Sequence, residues 1–213
     1  MNAIRKNPID THAMSIDLEH APSPWRAALA LTLIAMLVFG LAYSLVATGL
    51  GSLLFPQQAT GSMLERDGRI VGSTLVAQPF ADARYFQPRP SAAGYDVMAL
   101  AGSNQARTNP DLRARIDSAR SAVATRDGIR PEDVPGELVT QSGSGSDPHL
   151  SPAAVAVQIA RVARAREMTS ASIEKLIETH IEQPQWGMFG QARVNVLELN
   201  LALDAKPAQG GAE

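Results

Sequence analysis

Hydrophobic residues are concentrated in one uninterrupted run near the beginning of the chain. Residues 27–55 carry no charged side chain. The polar side chains within the run are those of Thr32, Tyr43, Ser44, Thr48 and Ser52. A helix of roughly 20 apolar residues spans a hydrocarbon core about 30 Å thick and satisfies its backbone hydrogen bonds internally. The pattern predicts a transmembrane helix over residues 26–50, preceded by a tail over residues 1–25.

A cleaved signal peptide is the alternative interpretation of this run, with Ala47-Thr48-Gly49 as its cleavage site. The apolar core of such a peptide covers only about 7–15 residues. The run is longer and continues beyond that site, which favours a retained anchor. Among the flanking cations only Arg26 adjoins the helix, and positive charge favours the cytoplasmic side. This predicts a cytoplasmic N-terminus and a domain on the opposite side of the membrane.

Small residues recur within the predicted helix at intervals of four. They are Gly40, Ser44 and Thr48 on one face, and Ala47 and Gly51 on an adjoining face. Small side chains at this spacing allow a second helix to approach closely. Glycine is also frequent in membrane helices in general. Of the two interpretations, we favour packing of these positions against a partner helix.

The remaining residues predict a small domain over residues 51–205. Asp67-Gly68 favours a type I′ turn, and the apolar-rich segments on either side of it predict a β-hairpin. Residues 80–110 are rich in Pro and Gly, which predicts an ordered loop. The residues expected to attach this loop to the core are Tyr85, Phe86 and Tyr95.

Capping residues and apolar spacing predict helices in the second half of the chain. Asn109 and Pro110 begin a helix that ends near Gly128. Ser151-Pro152 begins a second helix, which extends to about residue 167. The residues assigned to the polar arc of this second helix are Gln158, Arg161 and Arg164. A third helix begins at Thr169 or Ser170 and is expected to be buried through Ile173, Leu176, Ile177 and Ile181.

The sequence pattern of two further segments is compatible with a β-strand. Residues 138–140 are read as a short strand. In residues 195–204 the alternation of leucines indicates a strand, whereas Asn195 followed by Glu198 resembles a helix cap, and we favour the helix. The predicted fold class is α+β, with a single N-terminal transmembrane helix followed by one small mixed α/β extramembrane domain. Residues 206–213 are predicted to form a disordered tail.

Composition excludes several functions. The net charge of −2 offers no electrostatic basis for binding nucleic acid. The chain has no cysteine, which rules out disulfides, thiolate metal sites and a cysteine nucleophile. Its four histidines show no metal-ligand spacing. We expect no metal site and no catalytic residue.

The loop before the second helix carries the main candidate chemistry. Its Ser/Gly sequence leads toward a helix start, where free N–H groups favour anions. The loop lacks the Gly-Lys-Ser/Thr ending of a phosphate-binding loop, and Asp147 would repel phosphate. The residues proposed as nucleotide or partner contacts are Ser142, Gly143, Ser144, Gly145 and Gln158. A hydrolytic triad from Ser142, Ser144, Ser146, Asp147 and His149 is disfavoured, because residues so close in sequence rarely reach that geometry.

Five segments resemble the C subunit family of the Kdp potassium-transporting P-type ATPase. They are GSTLVAQPF (72–80), YFQPRPSAAGYD (85–96), AGSNQARTNPDL (101–112), ELVTQSGSGSDPHLSPAAVAVQIARVARAR (137–166) and RVNVLELNLALD (193–204). The chain departs from the family at Ala77, where glycine is usual, and at Ser146, where leucine is usual. These departures are confined to loops.

The resemblance implies a non-catalytic accessory subunit of a bacterial inner-membrane complex that imports potassium at the expense of ATP. Its implied partners are a channel-like potassium-translocating subunit and a P-type ATP-hydrolysing subunit, together with membrane lipid. The implied role is assembly and a chaperone action that raises ATP affinity of the P-type subunit. The complex, and not this chain, would handle ATP and potassium. The alternative is a stand-alone membrane-anchored enzyme or nucleotide-binding module.

Overall fold

A computed structural model describes residues 24–206. The predicted tails, residues 1–25 and 206–213, fall almost entirely outside this range. The described residues divide after Pro56 into an N-terminal helical unit and a domain. The predicted fold class is confirmed, since one apolar N-terminal helix precedes a small domain of mixed helices and strands.

The N-terminal unit is one continuous helix, Pro24–Leu54, which is longer at both ends than the predicted span. It consists of α1 (Pro24–Ala35), a π-helical segment (Met36–Ala42) and α2 (Tyr43–Leu54). Its apolar window has a mean hydropathy of 2.4, and none of that window is buried by the rest of the chain. The helix ends at Phe55 because the ring of Pro56 disfavours a helical conformation in the residue before it. Length and composition make this helix a candidate membrane span.

The domain contains five strands and six helices among the described residues. The strands are β1 (Met63–Arg66), β2 (Arg69–Ser73), β3 (His149–Leu150), β4 (Ile181–Glu182) and β5 (Arg193–Asn195). The helices are α3 (Pro56–Ala59), α4 (Pro110–Asp127), α5 (Pro152–Ala156), α6 (Ile159–Arg166), α7 (Ser170–Thr179) and α8 (Val196–Asp204). Strands β1 and β2 form an antiparallel hairpin, and a second antiparallel sheet has the order β3-β5-β4.

Local turn and cap signals are confirmed. Asp67 and Gly68 have φ angles of 52° and 72°, the left-handed values that a type I′ turn requires. Helix α4 begins with the Asn109 side chain accepting a hydrogen bond from the Asp111 amide, and Gly128 ends it with a φ of 69°. The side chain of Asn195 accepts from two amides at the start of α8, so residues 196–204 are a helix rather than a strand.

The core lies between helices α4, α6, α7 and α8 and the three-stranded sheet. Representative buried side chains are Val123, Val162, Ile173, Val194 and Leu199. Helix α8 is enclosed on most sides, and this explains how leucines at every second position can all belong to a helix. Residues 80–109 form neither helix nor strand, and Phe86 attaches this loop to the core with no exposed surface.

Four predictions about the second half are wrong in whole or in part. Residues 138–140 are not a strand, because a 3₁₀ turn (Gly136–Leu138) forms and Thr140 bonds back to the Gly136 carbonyl. The predicted second helix is interrupted between α5 and α6. Of its assumed polar arc, Arg164 is exposed as predicted, whereas Gln158 and Arg161 are only 0% and 7% exposed. Ile181 lies in β4, beyond the end of α7.

Candidate functional site

A buried polar network fixes the irregular loop to the helices, and Gln158 is its centre. The Gln158 Oε1 accepts hydrogen bonds from the Gln87 amide at 2.8 Å and from Arg161 Nη2 at 2.9 Å. Its Nε2 donates to the carbonyl oxygens of Gln87 and Ala154, both at 3.2 Å. All four hydrogen-bonding positions of the amide are therefore used within the chain. Gln158 has the contacts of a structural residue.

Arg161 and Asp127 form the charged part of the same network. Arg161 Nε donates to Asp127 Oδ1 at 2.7 Å, and Arg126 Nη2 lies 2.6 Å from the other carboxylate oxygen. Arg161 Nη1 also donates to the carbonyl oxygens of Ala83 and Tyr85. The Asp127 and Arg161 side chains are almost completely buried, so Arg161 depends on Asp127 for neutralisation, whereas Asp127 is neutralised by both Arg161 and Arg126.

Two further groups fasten the loop from helix α8. The Asn200 side chain accepts a hydrogen bond from the Phe86 amide at 2.9 Å and donates one to the Phe86 carbonyl at 3.0 Å. This is the same pair of hydrogen bonds that the backbone of a neighbouring strand would form with Phe86. Asp204 accepts from Arg166 at 2.7 Å, from the Tyr85 hydroxyl at 3.0 Å and from Arg66 of the hairpin at 3.1 Å. Burial would raise the pKa of the Asp204 carboxyl, but these hydrogen bonds outweigh it and hold the pKa below its usual value.

The Ser142–Gly145 loop is built into the domain at its ends and exposed at its tip. The Ser142 amide donates to the Pro90 carbonyl at 3.1 Å, and a Cβ added to Gly145 would lie 2.7 Å from the Ala101 carbonyl oxygen. Gly143 and Ser144 face solvent. Within residues 24–206, no hydrogen bond joins Gln158 to this loop. The nucleotide or partner contact stays a prediction, and the loop residues exposed to make it are those at the tip.

The helix start that the sequence offered to an anion is already occupied. Ser151 caps α5 by accepting from the Ala154 amide, and its own amide donates to Glu137 Oε2 at 3.0 Å. The Ser151 hydroxyl also bonds Glu137. A carboxylate of the chain itself therefore contacts the cap residue of this helix, and strand β3 lies between the Ser/Gly loop and the helix along the chain.

An open polar cleft of about 480 Å³ lies beside this cap. His149 is placed between two carboxylates there, with Nδ1 3.6 Å from Asp147 and Nε2 3.8 Å from Glu182. Arg89 pairs with Asp147 at 3.1 Å and Arg193 with Glu182 at 2.8 Å. Burial would raise the pKa of the Asp147 carboxyl, but hydrogen bonds from His149 and Arg89 lower it further than burial raises it.

This cleft does not assemble a hydrolytic triad. Within residues 24–206, neither ring nitrogen of His149 has a serine hydroxyl as a hydrogen-bond partner. The Ser151 hydroxyl is engaged by Glu137. No group of three or more His, Asp or Glu side chains in the same range could hold a metal ion.

The small residues of the candidate span lie on the Pro24–Leu54 helix, where open space surrounds the two glycines tested. Within residues 24–206, and apart from its own helix backbone and chain neighbours, a Cβ added to Gly40 or Gly51 would meet no atom within 4 Å. Ser44 Oγ donates to the Gly40 carbonyl at 2.6 Å, across the end of the π-helical segment. Ala47 and Thr48 are exposed on the same helix. These positions remain candidates for contact with a partner helix.

Sequence reasoning missed two polar members of the network and an exposed aromatic turn. Asp127 and Asn200 gave no local signal, because their partners lie 34 and 114 residues away in the chain. Trp186 and Phe189 are 85% and 60% exposed. A signal for that turn was present, since residues 183–192 contain no charged side chain and include Trp-Gly.

Comparison with known proteins gives a consistent result. Residues 25–205 match the family model described as KdpC, the c chain of K⁺-transporting ATPase. A potassium-transporting ATPase KdpC subunit of Xanthomonas campestris pv. campestris is 64% identical over 179 residues, which cover 84% of this chain and 86% of the relative. The KdpC subunit of Shewanella putrefaciens is 49% identical over 193 residues, with 90% and 95% coverage. That of Methylococcus capsulatus is 50% identical over 184 residues, with 85% and 97% coverage.

Proposed function

The chain belongs to the KdpC family of K⁺-transporting ATPase subunits, and on that premise we propose that it is a non-catalytic accessory subunit of a bacterial ATP-driven potassium uptake complex. The observation that carries the proposal is the family match over residues 25–205, which includes both the candidate span and the whole domain. The engagement of the Ser151 hydroxyl by Glu137 supports a role without chemistry of its own.

The proposed partners are the channel-like subunit that translocates potassium and the P-type subunit that hydrolyses ATP. The Pro24–Leu54 helix crosses the inner membrane once, with its N-terminus in the cytoplasm and the domain in the periplasm. In the bilayer it packs against partner helices through two small-residue faces, Gly40, Ser44, Thr48 and Ala47, Gly51. The open space around Gly40 and Gly51, as far as residues 24–206 are concerned, supports this assignment.

The proposed action is assembly of the complex and a chaperone effect that raises the ATP affinity of the P-type subunit. A periplasmic domain cannot touch cytoplasmic ATP, so this effect reaches the nucleotide site through the span as a coupling between distant sites. The exposed tip, Gly143 and Ser144, contacts the extramembrane surface of the channel-like subunit. The chain needs no cofactor, and ATP and potassium are bound by the other subunits.

Single-cysteine labelling tests the placement, because the chain has no native cysteine. S144C places a thiol at the exposed loop tip, and S15C places one in the predicted cytoplasmic tail. An impermeant maleimide added to intact cells that express this chain without its proposed partners, so that the tip is not covered, should label S144C and leave S15C unlabelled until the cells are lysed. Labelling of S15C with protection of S144C would reverse the topology and favour direct nucleotide contact by the loop.

Co-purification tests the subunit role. The tagged chain should carry the two large membrane subunits with it, and deletion of residues 57–206 should abolish potassium uptake by the complex. If the purified chain bound or hydrolysed ATP by itself and its deletion left uptake unchanged, the stand-alone module would be the correct interpretation.

A further inference from the structure

An aromatic turn projects from the domain between β4 and β5. The Gln185 and Phe189 backbones form an antiparallel bridge, with N–H to carbonyl distances of 2.9 and 3.0 Å. Trp186 and Gly187 occupy the centre of the turn, with φ angles of 52° and 73°. The Trp186 and Phe189 rings pack edge to face, with centroids 5.9 Å apart. The turn, Gln185–Phe189, is thus fixed in shape before it meets any partner.

The conformation of this turn does not benefit the folding of the domain. A positive φ at a bulky residue such as Trp186 is a backbone outlier that glycine or asparagine would relieve. The side chain gains no burial in return, since Trp186 is 85% and Met188 75% exposed. Strain combined with exposure of large apolar groups points to a surface outside the chain that receives them.

The lack of charge on the turn indicates which kind of surface receives it. Residues 183–192 contain no ionisable side chain, and glutamines border the apolar residues. The nearest charges on either side, Glu182 and Arg193, neutralise each other at 2.8 Å. The turn can therefore be transferred out of water without the cost of desolvating an unpaired charge.

We propose that the Trp186 turn inserts into the headgroup–acyl boundary of the lipid leaflet on the domain's side of the membrane. This inference rests on the proposed membrane placement. Tryptophan favours that boundary because its ring is apolar and its N–H is polar. The chain has two tryptophans, and Trp25 already stands at the opposite end of the candidate span. Trp186 supplies the second interfacial anchor.

Chain connectivity and the size of the patch favour lipid over a protein pocket. Only residues 55–62 separate the candidate span from β1, which tethers the domain to the bilayer surface. The apolar tip consists of three side chains, Trp186, Met188 and Phe189, within the five-residue turn. A stable protein interface buries on the order of 800 Å² from each partner, whereas a few interfacial side chains suffice to orient a domain that is already anchored.

Tryptophan fluorescence in brominated vesicles tests the proposal with the full chain. The W25F variant leaves Trp186 as the emitter, and W186F leaves Trp25. Each is reconstituted into phosphatidylcholine vesicles with or without bromine on the upper acyl carbons. We expect bromolipid to quench the fluorescence of Trp186 to an extent comparable to that of Trp25. The emission maximum of Trp186 should also lie at a shorter wavelength than that of a tryptophan in water.

Comparison of the two tryptophans distinguishes failure of the turn to insert from failure of the whole chain to insert. If Trp25 is quenched and Trp186 is not, the span is inserted but the turn is not in lipid, and the proposal is overturned in favour of a protein contact. If neither is quenched, the proposed membrane placement itself fails. As a matched control, F189S in the W25F background keeps the backbone bridge but removes the stacked ring, and it should reduce quenching of Trp186. Unchanged quenching in F189S would contradict insertion of the turn as a unit.

Discussion

Replacing Asp127 with alanine should destabilise the domain more than any surface charge replacement on the same helix. The change leaves the Arg161 guanidinium, which is 7% exposed, without its carboxylate partner. Breaking a buried ion pair from one side costs about 3–5 kcal/mol. Arg161 keeps its bonds to the Ala83 and Tyr85 carbonyls and to Gln158. We therefore expect the lower end, about 3 kcal/mol, which corresponds to a fall in Tm of about 6–12 °C.

Urea denaturation of the full chain in micelles, followed by far-UV circular dichroism, measures this loss. The apolar helix stays folded in detergent, so the change in signal reports the domain. D117A is the matched control on α4, because the Asp117 side chain is 73% exposed and pairs with Arg120 at 3.5 Å. An exposed pair of this kind contributes less than about 1 kcal/mol.

Hydrogen exchange locates the effect within the domain. The amides of Phe86 and Gln87 bond to Asn200 and Gln158, so they should exchange faster in D127A if the network fixes the loop. Equal stability of D127A and D117A would refute the assigned cost of the unpaired guanidinium. A stability loss without faster exchange at these two amides would refute the claim that the network holds the loop in place.

Three further perturbations test the cap, an ion cluster and the span. N195A should cost about 1–2 kcal/mol of unfolding free energy, because it removes the cap of α8 and the bond to the Thr74 carbonyl. N195S retains a capping oxygen and should lose less, and equal losses would contradict this account. The pKa of Asp204 is lower in the folded domain than its unfolded value of about 3.9, so its stabilisation is complete above that pH and is lost as the pH falls through the folded pKa. D204N should therefore flatten the decline in stability below about pH 4, and an unchanged acid profile would count against it. G40L should lower the yield of co-purified subunits without preventing membrane insertion, whereas G49L, off both small-residue faces, should not; identical behaviour would make the span a simple tether.

The sequence alone was sufficient to predict those helices, turns and caps that depend only on neighbouring residues. The apolar run needs no tertiary partner to become a helix, since every backbone bond forms within it. The turn at Asp67-Gly68 and the caps at Asn109 and Asn195 each depend on residues within three or four positions. The resemblance to the KdpC family was likewise visible in contiguous motifs, and the comparisons confirm it.

Tertiary structure alone decided the environment of the polar side chains in the second half. Helical spacing placed Gln158 and Arg161 on a solvent face, because periodicity cannot reveal a loop that covers that face from 70 or more residues away. The break between α5 and α6 also rotates the later residues relative to an unbroken helix. Burial of these groups is possible only because Asp127 and the backbone of the loop satisfy their hydrogen bonds and charge. A one-dimensional pattern reports which side of an element is apolar, and the fold determines what comes to lie against the other side.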